Sequence, residues 1–326
     1  MRVLLTGAAG FIGSHLAERL LARGDQVAGL DNFDPFYPRA VKQRNLANLL
    51  AQPAFKFHEG DITSSTDLDA ATSALGTPCD VVVHLAALAG VRPSIADPVR
   101  YGQVNVMGTL QVLEACRRAG IKRLVFASSS SVYGSDSAVP FAESEPCQHP
   151  MSPYASTKRA GELLTFTAHH LTNLDVTCLR FFTVYGPRQR PDLAIHKFTR
   201  LISAGQPIEL FGDGSTSRDY TWIDDITDGV LAAIDEQVSD RSPAHRIYNL
   251  GGSRTTSLAR LVELISGALG KTPVIVRQPE QPGDMRRTLA DLTLSSQRLG
   301  YAPRVSIEDG LARFVAWWRA ENSAAG

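Results

Sequence analysis

Short runs of aliphatic and β-branched residues alternate with segments of helical period through the first half of the chain. Val3-Leu4-Leu5 reads as a buried strand. From Ile12 the apolar positions Leu16, Leu20 and Leu21 recur at the spacing of one helix face, and Gly24 ends the pattern. Residues 27–30, 55–58, 81–85, 124–127 and 176–181 continue the series of strands. Val106, Leu110, Leu113 and Cys116 form a second helical stripe that stops near Gly120, and residues 154–170 form a third. This alternation predicts an α/β fold, a doubly wound parallel sheet with helices on both faces. After about Gly186 the pattern loosens into Pro- and Gly-rich connections. Residues 1–186 are therefore expected to form one unit and residues 187–326 a smaller C-terminal α/β lobe. Residues 224–235 and 247–250 are expected to return to the large sheet.

Composition narrows the picture. With 326 residues, 44% of them hydrophobic and 20% charged, the chain suits a soluble globular protein with a sizeable core. Lys plus Arg and Asp plus Glu both number 33, so the zero net charge points to neither nucleic acid nor an anionic membrane. The four cysteines are scattered and the eight histidines form no H-E-x-x-H pattern, which predicts reduced thiols and no metal site. No stretch approaches the ~20 apolar residues of a membrane helix. Gly7, Gly10, Gly13, Glu18 and Arg19 interrupt the N-terminal run that would otherwise imitate a signal peptide. A cytoplasmic location is expected.

Between the first strand and first helix lies Thr6-Gly7-Ala8-Ala9-Gly10-Phe11-Ile12-Gly13. Glycines at this G-x-x-G-x-x-G spacing allow a tight turn and close backbone approach, and the helix N-terminus offers N–H groups to a pyrophosphate. A tight βα turn alone would also explain them. Asp31 after the second strand favours the dinucleotide, because a carboxylate there accepts from a ribose 2′-hydroxyl and repels a 2′-phosphate. The expected fold is accordingly Rossmann-type and the expected cofactor NAD. Asp61-Ile62, after the third strand, would flank the adenine.

Tyr154 and Lys158 stand four apart at the start of a helical pattern, so they share a face. An ammonium beside the phenol would favour phenolate and make Tyr154 a base near neutral pH. Ser128-Ser129-Ser130-Ser131 ends a buried strand, at the edge where open α/β sheets bind ligands.

Taken together, residues 6–16, 31–33, 60–62, 84–92, 105–109, 128–134, 152–158, 179–187 and 217–225 resemble the extended short-chain dehydrogenase/reductases of the nucleotide-sugar epimerase/dehydratase family. The resemblance covers nearly the whole chain. It implies a tightly held NAD that oxidises a sugar at C4 and returns the hydride. Ser129 and Tyr154 would handle the C4 hydroxyl proton, while Lys158 would bind the nicotinamide ribose. Further cofactor contacts would come from Gly7, Gly10, Phe11, Ile12, Gly13, Asp31, Asn32, Asp61, Ile62, Leu85, Ala86, Ala87, Asn105, Ser128 and Phe181. The family also implies a homodimer through helices at residues 104–118 and 154–170, although their amphipathic faces suit packing within a monomer equally well.

The reaction is read from the positions before Val132. Dehydratases resembling this chain carry an Asp-Glu pair where it has Ser130 and Ser131, and related uronate decarboxylases carry Glu in place of Ser131. With neither present, 4-epimerisation is expected. Asp31-Asn32-Phe33 with Tyr37 and Lys42, the run 87–95 and above all residues 180–194 resemble the UDP-glucuronate 4-epimerases. Arg190, with the hydroxyls of Ser130, Ser131 and Thr183, would hold a C6 carboxylate in a planar fork. By the same resemblance Arg92 would bind the substrate, and Lys197, Phe198, Phe211, Arg218 and Asp284 would bind its UDP part, although core packing explains Phe198 and Phe211 equally well. A 4-epimerase of a neutral UDP-hexose or UDP-N-acetylhexosamine is the alternative. A non-catalytic NAD-binding regulator is disfavoured because Ser129, Tyr154 and Lys158 are all present.

Overall fold

The computed structural model describes residues 1–76, 78–240, 242–279 and 285–323. The first half runs β1 (Arg2–Thr6), α1 (Phe11–Ala22), β2 (Gln26–Asp31), α2 (Arg39–Leu50), β3 (Phe55–Glu59), α3 (Ser65–Ser73) and β4 (Val81–His84). Two short helices, α4 (Val91–Ala96) and α5 (Pro98–Tyr101), lead through a π-helical turn (Gly102–Met107) into α6 (Gly108–Ala119) and β5 (Arg123–Ser129). Then come α7 (Pro153–Thr172), β6 (Asp175–Phe181), β7 (Thr183–Tyr185), α8 (Ala194–Ser203), β8 (Ile208–Phe211), β9 (Ser217–Trp222) and α9 (Ile223–Ser239). The chain closes with β10 (His245–Leu250), β11 (Thr255–Ser257), α10 (Leu258–Leu269), β12 (Ile275–Gln278), α11 (Thr293–Leu299) and α12 (Ile307–Ser323).

Seven strands form one parallel sheet in the order β10-β6-β5-β4-β1-β2-β3, the doubly wound Rossmann arrangement. Side chains of β1 alternate between its faces. Val3 and Leu5 enter a core with Leu16, Leu20 and Val230, whereas Leu4 packs on the other side with Leu30, Leu124 and Phe126. Burial on both faces explains the near-continuous aliphatic runs of β4 and β6. The strand order reverses between β1 and β4, and that switch point opens a crevice at the carboxyl ends of the strands.

Strand β10 pairs with β6 at one edge of this sheet, with His245 beside Val176 and Leu250 beside Phe181. The other late strands form a three-stranded sheet, β11-β9-β7, and a two-stranded one, β12-β8. One hydrophobic core joins these parts, running from Val3 and Leu5 to Ile195, Leu261 and Phe314. All four cysteines are buried and unpaired. Among the described residues no helix is long and apolar enough to cross a membrane.

Candidate active site

A cavity of about 480 Å³ occupies the crevice, and the glycine loop forms one wall. Gly7 adopts φ +75°, and a Cβ there would stand 2.9 Å from the Ala86 nitrogen. At Gly13 a Cβ would lie 2.1 Å from the Gly7 carbonyl oxygen. Gly10 caps α1 with no side chain across the helix end, leaving the first-turn N–H groups facing the cavity wall. Asp31, at the end of β2, accepts from the Ala9 and Phe33 amides at 3.1 and 2.8 Å. Its Oδ1 also meets the Lys42 Nζ at 3.3 Å, a buried cation from α2 that was not among the expected site residues. Asn32 donates to Asp61 at 2.7 Å on the exposed rim.

The second wall comes from β5 and α7. Ser152 caps α7 by accepting from the Ala155 amide at 3.1 Å, and Pro153 occupies the first turn. This start places Tyr154 and Lys158 one turn apart, facing the cavity. Strand β5 ends at Ser129, and a 3-10 turn over Ser130–Tyr133 follows at once. The Ser129 hydroxyl donates to Ser131 Oγ at 3.1 Å, and Ser129 acts to lower the pKa of the Tyr154 phenol.

The expected Lys158–Tyr154 electrostatics are not what this arrangement shows. Lys158 Nζ donates to the Ala127 carbonyl at 2.8 Å, drawn toward the strand, and burial lowers its pKa to about 8. Burial raises the pKa of Tyr154, opposed by the Ser129 hydrogen bond and by the charge of Arg190. The charge of Arg190, contributed from beyond β7, favours the phenolate.

Arg190 also departs from expectation. Its Nε and Nη2 donate to the two carboxylate oxygens of Asp192 at 3.0 and 2.7 Å, so one planar edge of the guanidinium is already engaged. The Phe36 ring covers one face at 4.8 Å, and Nη2 approaches the Ala89 carbonyl at 3.5 Å. Arg190 nonetheless lines the cavity together with Ser130, Ser131, Thr183 and Arg218.

Of the other expected cofactor contacts, Phe11, Ile12, Ile62, Leu85, Ala86, Ala87, Ser128 and Phe181 line the cavity. Asn105 lies just behind it, donating to the Leu88 carbonyl at 2.9 Å and to Thr157 at 3.0 Å. Several expected substrate contacts lie elsewhere. Phe198 is a core residue beside Ile195 and Ile202, because the apolar face of α8 turns inward. Lys197 is half-buried off the cavity wall, while the exposed Arg92 stacks over Phe211 at 4.8 Å. Asp284 lies outside the described residues. Tyr37 and Ala89, both within segments that carry the resemblance, also line the cavity, and Phe36 does so without any local sequence signal.

A buried ion network backs the site. Glu162, one turn beyond Lys158 on α7, accepts from Ser128 at 2.6 Å and from Arg180 at 2.9 Å through both oxygens. Arg180 stacks over Tyr133, whose hydroxyl donates to Asn249 at 2.7 Å. These contacts tie α7, β5, β6 and β10 together directly behind Ser129.

Residues 3–251 match the model of the NAD dependent epimerase/dehydratase family. The chain belongs to that family. A probable UDP-glucuronate 4-epimerase of Rhizobium meliloti is 39% identical over 332 residues, covering 98% of this chain and 97% of the relative. The UDP-glucuronate 4-epimerase of Thermodesulfobacterium geofontis is 40% identical over 315 residues, covering 96% and 95%. Among solved structures, UDP-glucuronic acid 4-epimerase from Bacillus cereus in complex with UDP-glucuronic acid and NAD superposes with a TM-score of 0.91. It is 36% identical, over 98% of this chain and 100% of that one. The chain fits the family cofactor, NAD. The loop at Gly7 and Gly13 has no room for a side chain, and the uncapped start of α1 offers donors to a diphosphate.

Proposed function

We propose that this epimerase/dehydratase family member is a UDP-glucuronate 4-epimerase, interconverting UDP-glucuronate and UDP-galacturonate through a 4-keto sugar. The observation that carries the reading is the meeting of Arg190, Ser130, Ser131 and Thr183 with the Ser129–Tyr154 pair in one cavity. NAD, when bound, supplies a reversible hydride acceptor at C4. Tyr154 takes the C4 hydroxyl proton, and Ser129 shares its hydrogen bond and holds it in place. Lys158 offers its ammonium to the nicotinamide ribose. Neither Ser130 nor Ser131 can serve as the acid–base pair that loss of water across C5–C6 requires.

The carboxylate contacts also restrain a side reaction. A 4-keto uronate is a β-keto acid. When its C5–C6 bond breaks, CO2 leaves, the electron pair moves onto the C4 oxygen as an enolate, and C5 then takes a proton. Cation and hydroxyls holding the carboxylate carbon near the plane of the C4 carbonyl group keep the C5–C6 bond out of alignment with the carbonyl π system. Arg190→Ala is expected to raise KM for UDP-glucuronate about 10- to 100-fold and to release part of the product as a 4-keto pentose nucleotide. Steady-state rates with NMR of the products test it, and an unchanged KM with no pentose product would refute this role.

A second copy of the chain is the proposed partner. Helix α7 exposes Leu163 and Phe166, each 54% accessible, and Met107 at the end of the π-helical turn before α6 is 51% accessible. Large exposed apolar groups on adjoining helical segments suit a self-complementary dimer face. Sedimentation should give twice the chain mass, with Phe166→Asp shifting it to the monomer; a monomeric parent protein would exclude the dimer. A cytoplasmic site of action is supported by the four buried, unpaired thiols.

A further inference from the structure

The Arg190 side chain is only 15% exposed, and its guanidinium is fixed on three sides. Phe36 stacks on one face at 4.8 Å, the Ala89 carbonyl accepts from Nη2 at 3.5 Å, and Asp192 takes Nε and Nη2 at 3.0 and 2.7 Å. Among the described residues, Nη1 is the one guanidinium nitrogen with no protein acceptor. Asp192 itself sits at the rim, its side chain 41% exposed, and is absent from the cavity wall.

Two consequences follow from elementary electrostatics. A bidentate carboxylate fixes the plane and rotation of a guanidinium far better than a single acceptor does. It also offsets most of the arginine charge, so the buried cation needs no other anion while no acidic ligand is present.

We infer that Asp192 is a positioning and specificity-determining residue, which holds Arg190 so that Nη1 is offered to the C6 carboxylate of a uronate. This rests on the UDP-glucuronate reading of the same cavity. The substrate carboxylate meets Nη1 and the hydroxyls of Ser130, Ser131 and Thr183 rather than taking the Nε–Nη2 edge, which Asp192 keeps. A neutral hexose leaves the pair undisturbed and gains nothing from it. Without Asp192 the guanidinium can turn its Nε–Nη2 edge inward, and the carboxylate is then gripped in a second orientation.

The test is a double-mutant cycle on the NAD-loaded full-length protein, with Asp192→Asn, Arg190→Ala and the pair together. Asp192→Asn is expected to raise KM for UDP-glucuronate about tenfold and to change kcat less than threefold. It should also release 4-keto pentose nucleotide that the parent protein does not release. In the Arg190→Ala background the same substitution should change neither KM nor product ratio, because Asp192 acts only through Arg190. Asp192→Glu, which keeps both oxygens, should recover part of the loss. Equal losses in both backgrounds would show general structural support instead, and an unchanged or lowered KM would show that Asp192 does not aid uronate binding. Either result overturns the inference. If the parent protein itself fails to turn over UDP-glucuronate, the functional reading fails first, and the position of Asp192 loses its meaning with it.

Discussion

Tyr154→Phe is expected to lower kcat by about 10²- to 10⁴-fold while the protein keeps its NAD. The phenol oxygen is the proposed proton acceptor for the C4 hydroxyl, and phenylalanine lacks it. The ring itself is retained. It packs edge-on against Tyr101 with centroids 6.4 Å apart and planes at 85°, a contact that phenylalanine reproduces. Cofactor content and folding should therefore stay near those of the parent. Because burial raises the Tyr154 pKa, the phenol is protonated at neutral pH in the free protein. A base must lose its proton to act, so kcat/KM should climb with pH through the neutral range. In the Phe variant that climb should disappear. A variant retaining most of the parental kcat, with the same pH profile, would remove Tyr154 from the chemistry.

Gly13→Ala should have the second largest effect, through the cofactor rather than the substrate. The added Cβ would lie 2.1 Å from the Gly7 oxygen, 2.9 Å from the Gly7 carbonyl carbon and 3.0 Å from the Ala8 Cα. All three are backbone atoms. Gly7 cannot retreat easily, since its amide donates to the Leu30 carbonyl at 2.8 Å and a Cβ on it would already crowd Ala86. The loop must deform where the diphosphate would sit, at a cost of about 1–3 kcal/mol in stability. Loss of most of the bound NAD is expected, with UDP-sugar turnover falling in proportion to the NAD retained. Gly267→Ala is the internal control, because nothing lies within 4 Å of a Cβ at that position in α10. Thermal unfolding and NAD content of the two variants decide the matter. Equal NAD content in both would show that the close approach at Gly13 is not what holds the cofactor loop.

The parts of the site that were legible in the sequence are those set by local spacing. The glycine turn, Asp31 at a strand end, and Tyr154 with Lys158 on one helix turn follow from periods and positions within about ten residues. The parallel sheet was legible for the same reason, since burial on both faces leaves aliphatic runs wherever a central strand passes. Contacts made between distant segments were not. Nothing around Phe36 signals that its ring will cover Arg190, 154 positions later by number, yet the two stack at 4.8 Å. Lys42 reaches Asp31 across the β2–α2 connection, and Lys158 prefers the Ala127 carbonyl to the phenol beside it. Phe198, for which substrate contact and core packing were equal expectations, is an aromatic on an amphipathic helix that packs in the core. Arg190 itself was found, but its engagement by Asp192 depends on a loop conformation that no residue pattern encodes.

Product analysis identifies the sugar on which this protein acts. The purified protein would be incubated separately with UDP-glucuronate, UDP-glucose and UDP-N-acetylglucosamine, and the stereochemistry at C4 read by proton NMR. Conversion of UDP-glucuronate to UDP-galacturonate, with the neutral sugars left unchanged or turned over far more slowly, is the predicted result. Epimerisation of a neutral sugar with UDP-glucuronate untouched would contradict the account.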